Sequence, residues 1–450
     1  MTGTSYAGAA VVVAGAGISG AAAARALREL GAHVTVVDGD PDRLAALEGF
    51  ATSQVLPPGT AQVVTSPGWR PTAPLLLAAA GAGVEVIGEI ELAWRLRQPG
   101  SAPWLAVTGT NGKTTTVRML AAILAAAGYR TVAAGNVGLP LLEAVLAPEP
   151  YDVLAVELSS FQLHWSSTVA PHTGAILNVA DDHTDWHGSF QDYAAAKARI
   201  FGADTCIGNA DDEVSTALLD RAHGRRVSFT LRPPRPGEVG LVEDLLVDRA
   251  FPDVAGEATE LASLTDLTVT GPHNVANALA AAAMARSYGV PAAPVRDGLR
   301  AFRADPHRSA LVRVLDGVSW VDDSKATNPH AAAASLASYD PVVWIAGGLL
   351  KGADVEDLVR RAAPRLRAVV LLGVDRAVLS GALTRHAPEV PVVEVDRLDT
   401  GAMEQVVVAA RRLARPGDTV LLAPAAASMD CFRNYNERGE LFAAAALALG

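Results

Sequence analysis

Short apolar runs alternate with glycine turns and Ala-rich, polar-faced stretches along the chain, a rhythm that predicts parallel α/β domains. Ala10–Ala14 reads as a buried strand, Gly15-Ala16-Gly17-Ile18-Ser19-Gly20 as a turn, and the stretch to Leu30 as a helix. His33–Val37 is the next strand and ends at Asp38. Residues 63–66 run as a strand into Pro67-Gly68. The wholly apolar 104–107 predicts a strand buried on both faces, followed by a helix over 114–127. Strands are predicted at 131–134, 153–158 and 174–178, and an Ala-rich helix at about 273–288. After it come strand-like runs at 318–321, 342–346, 368–372, 392–395 and 419–422, with helical stretches between.

Breaks in this pattern give the domains. Arg97-Gln98-Pro99-Gly100-Ser101-Ala102-Pro103 is the clearest linker, and Arg303-Ala304-Asp305-Pro306 marks a second boundary. The fold class is α/β with domains at 1–102, 103–304 and 305–450: a domain that opens on a nucleotide-binding βαβ unit, a central phosphate-loop domain and a third domain of alternating strands and helices. A length of 450 residues fits about three domains. Residues 230–238 hold three prolines and read as an exposed connection.

Composition narrows the function classes. The net charge is −11 and no basic run occurs, which argues against general nucleic-acid or membrane-surface binding. An anionic substrate must then be met by locally placed cations, helix ends or metal. Cys206 and Cys431 form no C-x-x-C and no disulfide framework, in keeping with a reducing cytoplasm. Residues 7–24 carry no charge over a length at which a membrane span is considered, but no Lys or Arg precedes them and Gly15, Gly17 and Gly20 interrupt them. No membrane insertion is expected.

The most informative motif is Val107-Thr-Gly-Thr-Asn-Gly-Lys-Thr-Thr115. Gly109 and Gly112 free the backbone so that N–H groups, with Thr110 and Asn111 between them, turn toward an anion at a helix N-terminus. Lys113 brings a point charge to the β/γ-phosphates, and the Thr114 hydroxyl can reach Mg²⁺. The first glycine of the usual nucleotide loop is missing, since Val107 stands there. The other glycine turn, with Asp38 some twenty residues on, matches an NAD pattern, but such a turn can hold any nucleotide diphosphate or only permit close packing.

Glu157 closes a strand beside the phosphate loop, where an acid can hold Mg²⁺ or orient its water. Asn178–His187 offers three acids and two histidines, and reads equally well as a site or as a polar loop. Asn274 and Asn277 lie three apart on one helix face, suited to a base or a phosphate edge or to a cap. Arg308 follows the second boundary, from which it could reach phosphate. The runs 322–329, 347–352 and 423–430 follow strands of one sheet, so Lys325, Thr327, Lys351 and Ser428 could converge on one edge and take a carboxylate-bearing ligand.

With these motifs assembled, the chain resembles the Mur ligases, ATP-dependent amide-forming enzymes of peptidoglycan synthesis, over essentially its whole length. Gly-Thr-Asn-Gly-Lys-Thr is shared with folylpolyglutamate synthases. Glu-Leu-Ser-Ser-Phe-Gln-Leu (157–163), Asp-Asp-Ser-Lys-Ala-Thr-Asn (322–328) and the run from Ser428 to Gly439 are specific to the D-glutamate-adding branch. The resemblance implies a Rossmann-like N-terminal domain for UDP, a central ATPase and a Rossmann-like C-terminal domain for the amino acid, with small-molecule substrates, UDP-N-acetylmuramoyl-L-alanine and D-glutamate, and with ATP and Mg²⁺ or Mn²⁺, in a cytoplasmic monomer. It turns the first glycine motif from NAD to UDP. It implies that Ile18, Ser19, Asp38, Ser66, Pro67 and Gly68 line the uridine diphosphate site and that Asn136 and His183 meet the same substrate. It gives Gly109, Thr110, Asn111, Gly112, Lys113, Thr114, Thr115, Asn274, Asn277, Arg308, Asp323 and Lys325 to ATP. Thr114, Glu157, His183 and a carbamylated Lys197 go to the metal. Thr327, Lys351, Ser428 and Tyr435 go to D-glutamate. Lys113, Glu157, His183, Lys197 and Arg308 form the catalytic set. Gly39, Asp40, Trp186 and Tyr435 depart from the family pattern. Rival readings are a folylpolyglutamate-synthase-like enzyme, a ligase for L-glutamate and a silent nucleotide-binding protein.

Overall fold

Three sheets organise the described residues of the computed structural model, which are 6–254, 256–269, 271–303 and 306–450. Ala304 and Asp305, at the predicted second boundary, lie outside them. Two compact units emerge, Met1–Leu267 with Val275–Phe302, and Thr268–Asn274 with Arg303–Gly450.

The first unit holds two sheets. Five parallel strands run in the order Ala51–Thr52, His33–Val37, Ala10–Ala14, Gln62–Thr65, Glu85–Gly88. The order reverses between Ala10–Ala14 and Gln62–Thr65, which makes the loops after those two strands the place for a ligand. A nine-stranded sheet follows. Its inner strand Trp104–Thr108 is buried throughout and lies between Val153–Glu157 and Thr173–Ile176, parallel to both. Aliphatic side chains of these strands pack into one core with those of the first sheet. The predicted linker is held down. The Arg97 guanidinium stacks 4.1 Å over Trp94, which packs edge-on to Trp104 at 4.9 Å.

Two buried acids of helix Glu89–Arg95 join the sheets of this unit. Glu91 accepts the backbone N–H groups of Ser167 and Thr168 at 2.8 and 3.0 Å and pairs with Arg95. Glu89 accepts the N–H of Leu142 at 2.9 Å, and burial pushes its carboxyl up to about 7.

The second unit is built on a six-stranded sheet in the order Ala310–Leu315, Val318–Asp322, Thr419–Leu422, Val342–Gly347, Leu366–Leu372, Val392–Glu394. Only the first pairing is antiparallel.

Several predicted bounds shift. The helix after the phosphate loop is Lys113–Ala126, and the strand expected at 174–178 is Thr173–Ile176, so Asn178 is free for the loop. The proline-rich 230–238 is a mostly exposed connection whose last residue already opens strand Glu238–Val242. No helix among the described residues is long and apolar enough to cross a membrane, and the uncharged 7–24 holds a strand, a turn and the start of helix Ile18–Glu29.

Candidate active site

The phosphate loop follows the buried strand Trp104–Thr108, and its neighbours fix its shape. Gly112 adopts φ +86°, and a Cβ there would fall on Asn277 Oδ1, so only glycine fits. Asn178 braces the loop from the next strand. Its carbonyl accepts Thr110 N–H at 2.9 Å, and its side chain accepts Asn111 N–H at 2.9 Å and donates to Asn111 O at 3.1 Å. Thr110 Oγ1 pairs with Tyr193 Oη at 2.9 Å. The Lys113 ammonium donates to Gly109 O and Thr110 O at 2.8 and 2.9 Å. Thr114 is half-buried in the first helical turn, and Thr115 is buried behind it. Asn274 and Asn277 are both buried on helix Pro272–Ser287, and Asn277 Oδ1 accepts from Thr116 at 3.3 Å.

Glu157 ends its strand fully buried. Its Oε1 accepts from Asn136 Nδ2 at 2.8 Å, and its buried Oε2 has no hydrogen-bond partner among the described residues. A hard cation suits such an orphaned carboxylate oxygen beside a phosphate loop. Lys197 is 1% exposed and donates to Gly109 O at 2.7 Å, with its nitrogen 4.5 Å over the Tyr193 ring. Burial pushes its amine well below the ordinary lysine range. Lys113 acts in the same direction, while Asp182 and Glu157 oppose it.

In the segment from Asn178 to His187, His183 Nδ1 lies 3.6 Å from Asp182 Oδ1. Among the described residues, no group of three or more His, Cys, Asp or Glu is placed to hold a metal ion. His183 is left-handed at φ +55°, and its ring packs 4.8 Å from Phe161 and 6.3 Å from Tyr193. His187 bonds Ser160 Oγ at 3.0 Å and is pushed down to about 4, by burial first and then by His164, His183 and Lys197. A site here therefore relies on few protein ligands. Mg²⁺ tolerates this, because it keeps water and takes phosphate oxygens.

At the first sheet, Asp38 pins the glycine turn. Its carboxylate accepts Ala16 N–H at 2.6 Å and Asp40 N–H at 2.9 Å. A Cβ on Gly20 would strike Gly15 O, so the third glycine serves close strand–helix packing. Ser66 Oγ faces this turn, buried and without a partner among the described residues, while Ile18 stands 80% exposed at the helix start. Ser19, Pro67 and Gly68 border the same edge on these two loops.

In the second unit, the strands ending at Asp322, Leu422 and Gly347 are consecutive neighbours, and their loops bond to one another. Ala425 N–H donates to Ala326 O, while Leu349 and Ala427 exchange a pair of bonds at 2.9 Å. Lys325, Thr327, Lys351 and Ser428 thus share one sheet edge. The Lys325 ammonium lies 3.7 Å over the Tyr435 ring. Asp323 accepts Ser309 N–H at 3.2 Å and is pushed up to about 6, chiefly by burial of its carboxyl, with Arg308 nearby acting the other way.

Comparison with known proteins meets this geometry at full length. The description Mur ligase middle domain matches residues 107–285, and Mur ligase, glutamate ligase domain matches 307–426. A protein from Thermobifida fusca named UDP-N-acetylmuramoylalanine--D-glutamate ligase is 62% identical, covering 98% of each chain. The chain belongs to the Mur ligase family. A relative of the same name from Streptomyces avermitilis is 58% identical over 99% of this chain and all of its own. Among solved structures, MurF from Acinetobacter baumannii superposes with a TM-score of 0.63 at 18% identity, covering 93% of this chain and 91% of that one, which speaks for the fold. Residues 1–68 of this Mur ligase match the alanine dehydrogenase/PNT C-terminal domain, the segment that holds the first glycine turn.

In this Mur ligase the sequence motifs assemble in three places. Lys113 and Lys197 meet at Gly109 O, the residues Ile18, Ser19, Asp38 and 66–68 gather on loops of the first sheet, and Lys325, Thr327, Lys351 and Ser428 on loops of the third. Asn136 is brought to Glu157. Tyr193 and Asn178 were missed as supports of the phosphate loop. Asn178, the first polar residue after an apolar strand, carried a local signal. Tyr193 lies four before Lys197, on the same helix face, but its partner Thr110 is 83 residues away.

Proposed function

We propose that this Mur ligase joins D-glutamate to UDP-N-acetylmuramoyl-L-alanine at the expense of ATP, in cytoplasmic peptidoglycan precursor synthesis, as a monomer. The end-to-end 62% identity to a ligase named for that reaction carries the reading. The folylpolyglutamate-like alternative has no comparable support.

The chemistry follows from the residues. A carboxylate oxygen of the L-alanine end attacks the γ-phosphorus of ATP, the bond to the bridging oxygen breaks, and ADP leaves. Lys113 and the N–H groups from Gly109 to Thr115 hold the phosphates, and Lys113 and Arg308 meet the charge that spreads over the transferring group. Asn274, Asn277, Asp323 and Lys325 hold the rest of the nucleotide. The D-glutamate amine, freed of a proton, attacks the acyl carbon, and the tetrahedral intermediate expels phosphate and leaves the amide. Thr327, Lys351, Ser428 and Tyr435 hold the acceptor, and Ile18, Ser19, Asp38, Ser66, Pro67, Gly68, Asn136 and His183 hold the nucleotide sugar. Both nucleophiles belong to substrates, so positioning is the protein's main contribution.

Thr114, Glu157, His183 and Lys197 would hold Mg²⁺, or Mn²⁺ in its place; when bound it supplies charge neutralisation on phosphate oxygens. Lys197 suits that task as a carbamate. Burial shifts the amine toward its neutral form, whose lone pair adds to CO₂ with loss of one proton. The anion formed would also complement the Lys113 ammonium, which shares Gly109 O with the Lys197 nitrogen.

Incubation with MgATP, UDP-N-acetylmuramoyl-L-alanine and either glutamate isomer tests the proposal by product mass. Gain of one glutamyl residue only with the D isomer is expected. Gain only with the L isomer would move the enzyme to the rival ligase.

A further inference from the structure

Arg438 is fully buried on helix Tyr435–Ala448, yet among the described residues it forms no ion pair. Instead Nε donates to Ser324 Oγ at 2.9 Å, Nη2 to Ser324 O at 2.7 Å and Nη1 to Ala426 O at 3.1 Å. One guanidinium thus grips the loop after strand Val318–Asp322 and the loop after strand Thr419–Leu422. Ser324 Oγ passes the grip on, donating to Tyr435 O at 2.8 Å. Tyr435 lies three residues before Arg438 on the same helix and carries the Lys325 ammonium on its ring. A second fastening lies alongside. His307 Nδ1 bonds Asp322 Oδ2 at 2.6 Å, Asp322 Oδ1 accepts Ser324 N–H at 2.9 Å, and a Cβ on Gly439 would fall on the His307 ring.

A buried arginine without a carboxylate is costly to keep, and an apolar chain of similar length would fill its space. Its planar fork does what an apolar chain cannot, because it fixes three acceptors on two loops at set angles. Those loops carry Lys325, Thr327 and Ser428. We propose that Arg438 is a positioning residue for the acceptor amino acid: it sets the spacing of the two loops that bind a dicarboxylate. The inference rests on reading this sheet edge as the acceptor site.

The test compares wild type, Arg438→Lys and Arg438→Met by steady-state kinetics in all three substrates. Arg438→Met is expected to raise KM for D-glutamate at least about tenfold, with kcat within about threefold and the KM values for ATP and the nucleotide sugar within about twofold. Arg438→Lys should fall between wild type and Arg438→Met, since it keeps the charge without the fork. A folded Arg438→Met with unchanged KM for D-glutamate overturns the inference, as does a loss spread evenly over all substrates. If Arg438→Met does not fold, Ser324→Ala removes one acceptor and the link to Tyr435, and should raise the same KM about threefold; no rise there overturns it too. Wild type that turns over no D-glutamate would overturn the ligase reading itself, whereas unmoved variants of an active wild type overturn only this inference.

Discussion

Single residues set the chemistry of this protein through burial and hydrogen bonding. Lys113→Ala removes two bonds to carbonyls of its own loop and should leave the fold intact. Phosphate release should fall by about two to three orders of magnitude, as when a preorganised charge is lost from a transition state. Near-normal release would count against the phosphate site. Lys197 is read through its carbamate: ¹³C NMR under ¹³CO₂ should show a carbamate carbon in wild type and none in Lys197→Ala, and no signal in wild type would count against the modification. His273 carries a pH signature. Burial holds it at about 4, against 6.5 for the ordinary side chain. Above pH 6.5 it is neutral folded or unfolded. Between 6.5 and 4 the unfolded chain takes up a proton that the folded chain refuses, so stability falls with pH through that window. The loss amounts to at most about 3 kcal/mol. Denaturant melts of wild type and His273→Gln at pH 7 and 4.5 should diverge at the lower pH, with the variant losing less. Lys197 without its carbamate adds a slope of the same sign at higher pH, because the unfolded amine stays protonated toward 10.5 where the buried one does not.

Elements hold these residues in place through glycines and strand order. Gly348 sits at φ +134°, and a Cβ there would fall on Ala427 O. Gly348→Ala should therefore cost about 2–4 kcal/mol in thermal or denaturant melts and weaken D-glutamate binding, since it pushes the 347–352 loop off the 423–430 loop. An unchanged melt would contradict the account of that edge. The buried parallel strands were legible in the sequence because both their faces are apolar: Ala10–Ala14, Trp104–Thr108, Val153–Glu157 and Val342–Gly347 stand where the runs predict. Arg225–Phe229, Glu238–Val242, Thr259–Ser263 and Ala310–Leu315 were not, because edge and half-exposed strands mix charge with apolar residues. The site divides in the same way. Lys113 and Glu157 are announced by glycines and strand ends, whereas Tyr193, Asn178 and Arg438 matter through partners distant in sequence, which no local pattern reports. The loop from Asn178 to His187 looked rich in ligands, yet His183, Trp186 and His187 pack among aromatic rings and His187 bonds Ser160.

At the scale of the whole molecule, a chain of net charge −11 is asked to handle ATP, a nucleotide sugar and a dicarboxylate, all anions. On the proposed reading, cations at the carboxyl ends of parallel strands take the place of an overall positive field. Ionic strength should therefore change association less than the loss of any one of Lys113, Lys325 or Lys351. The substrate carboxylate should be activated by phosphorylation before D-glutamate adds to it. UDP-N-acetylmuramoyl-L-alanine carrying ¹⁸O in its terminal carboxylate, turned over with MgATP and D-glutamate, reveals this order through mass analysis of the phosphate released. An acyl phosphate carries one carboxylate oxygen into the leaving phosphate. Each phosphate released should then hold one ¹⁸O when the carboxylate is fully labelled, with a glutamyl-extended product formed in equal amount. Phosphate without ¹⁸O beside an extended product would contradict the mechanism, and no extended product would contradict the assignment.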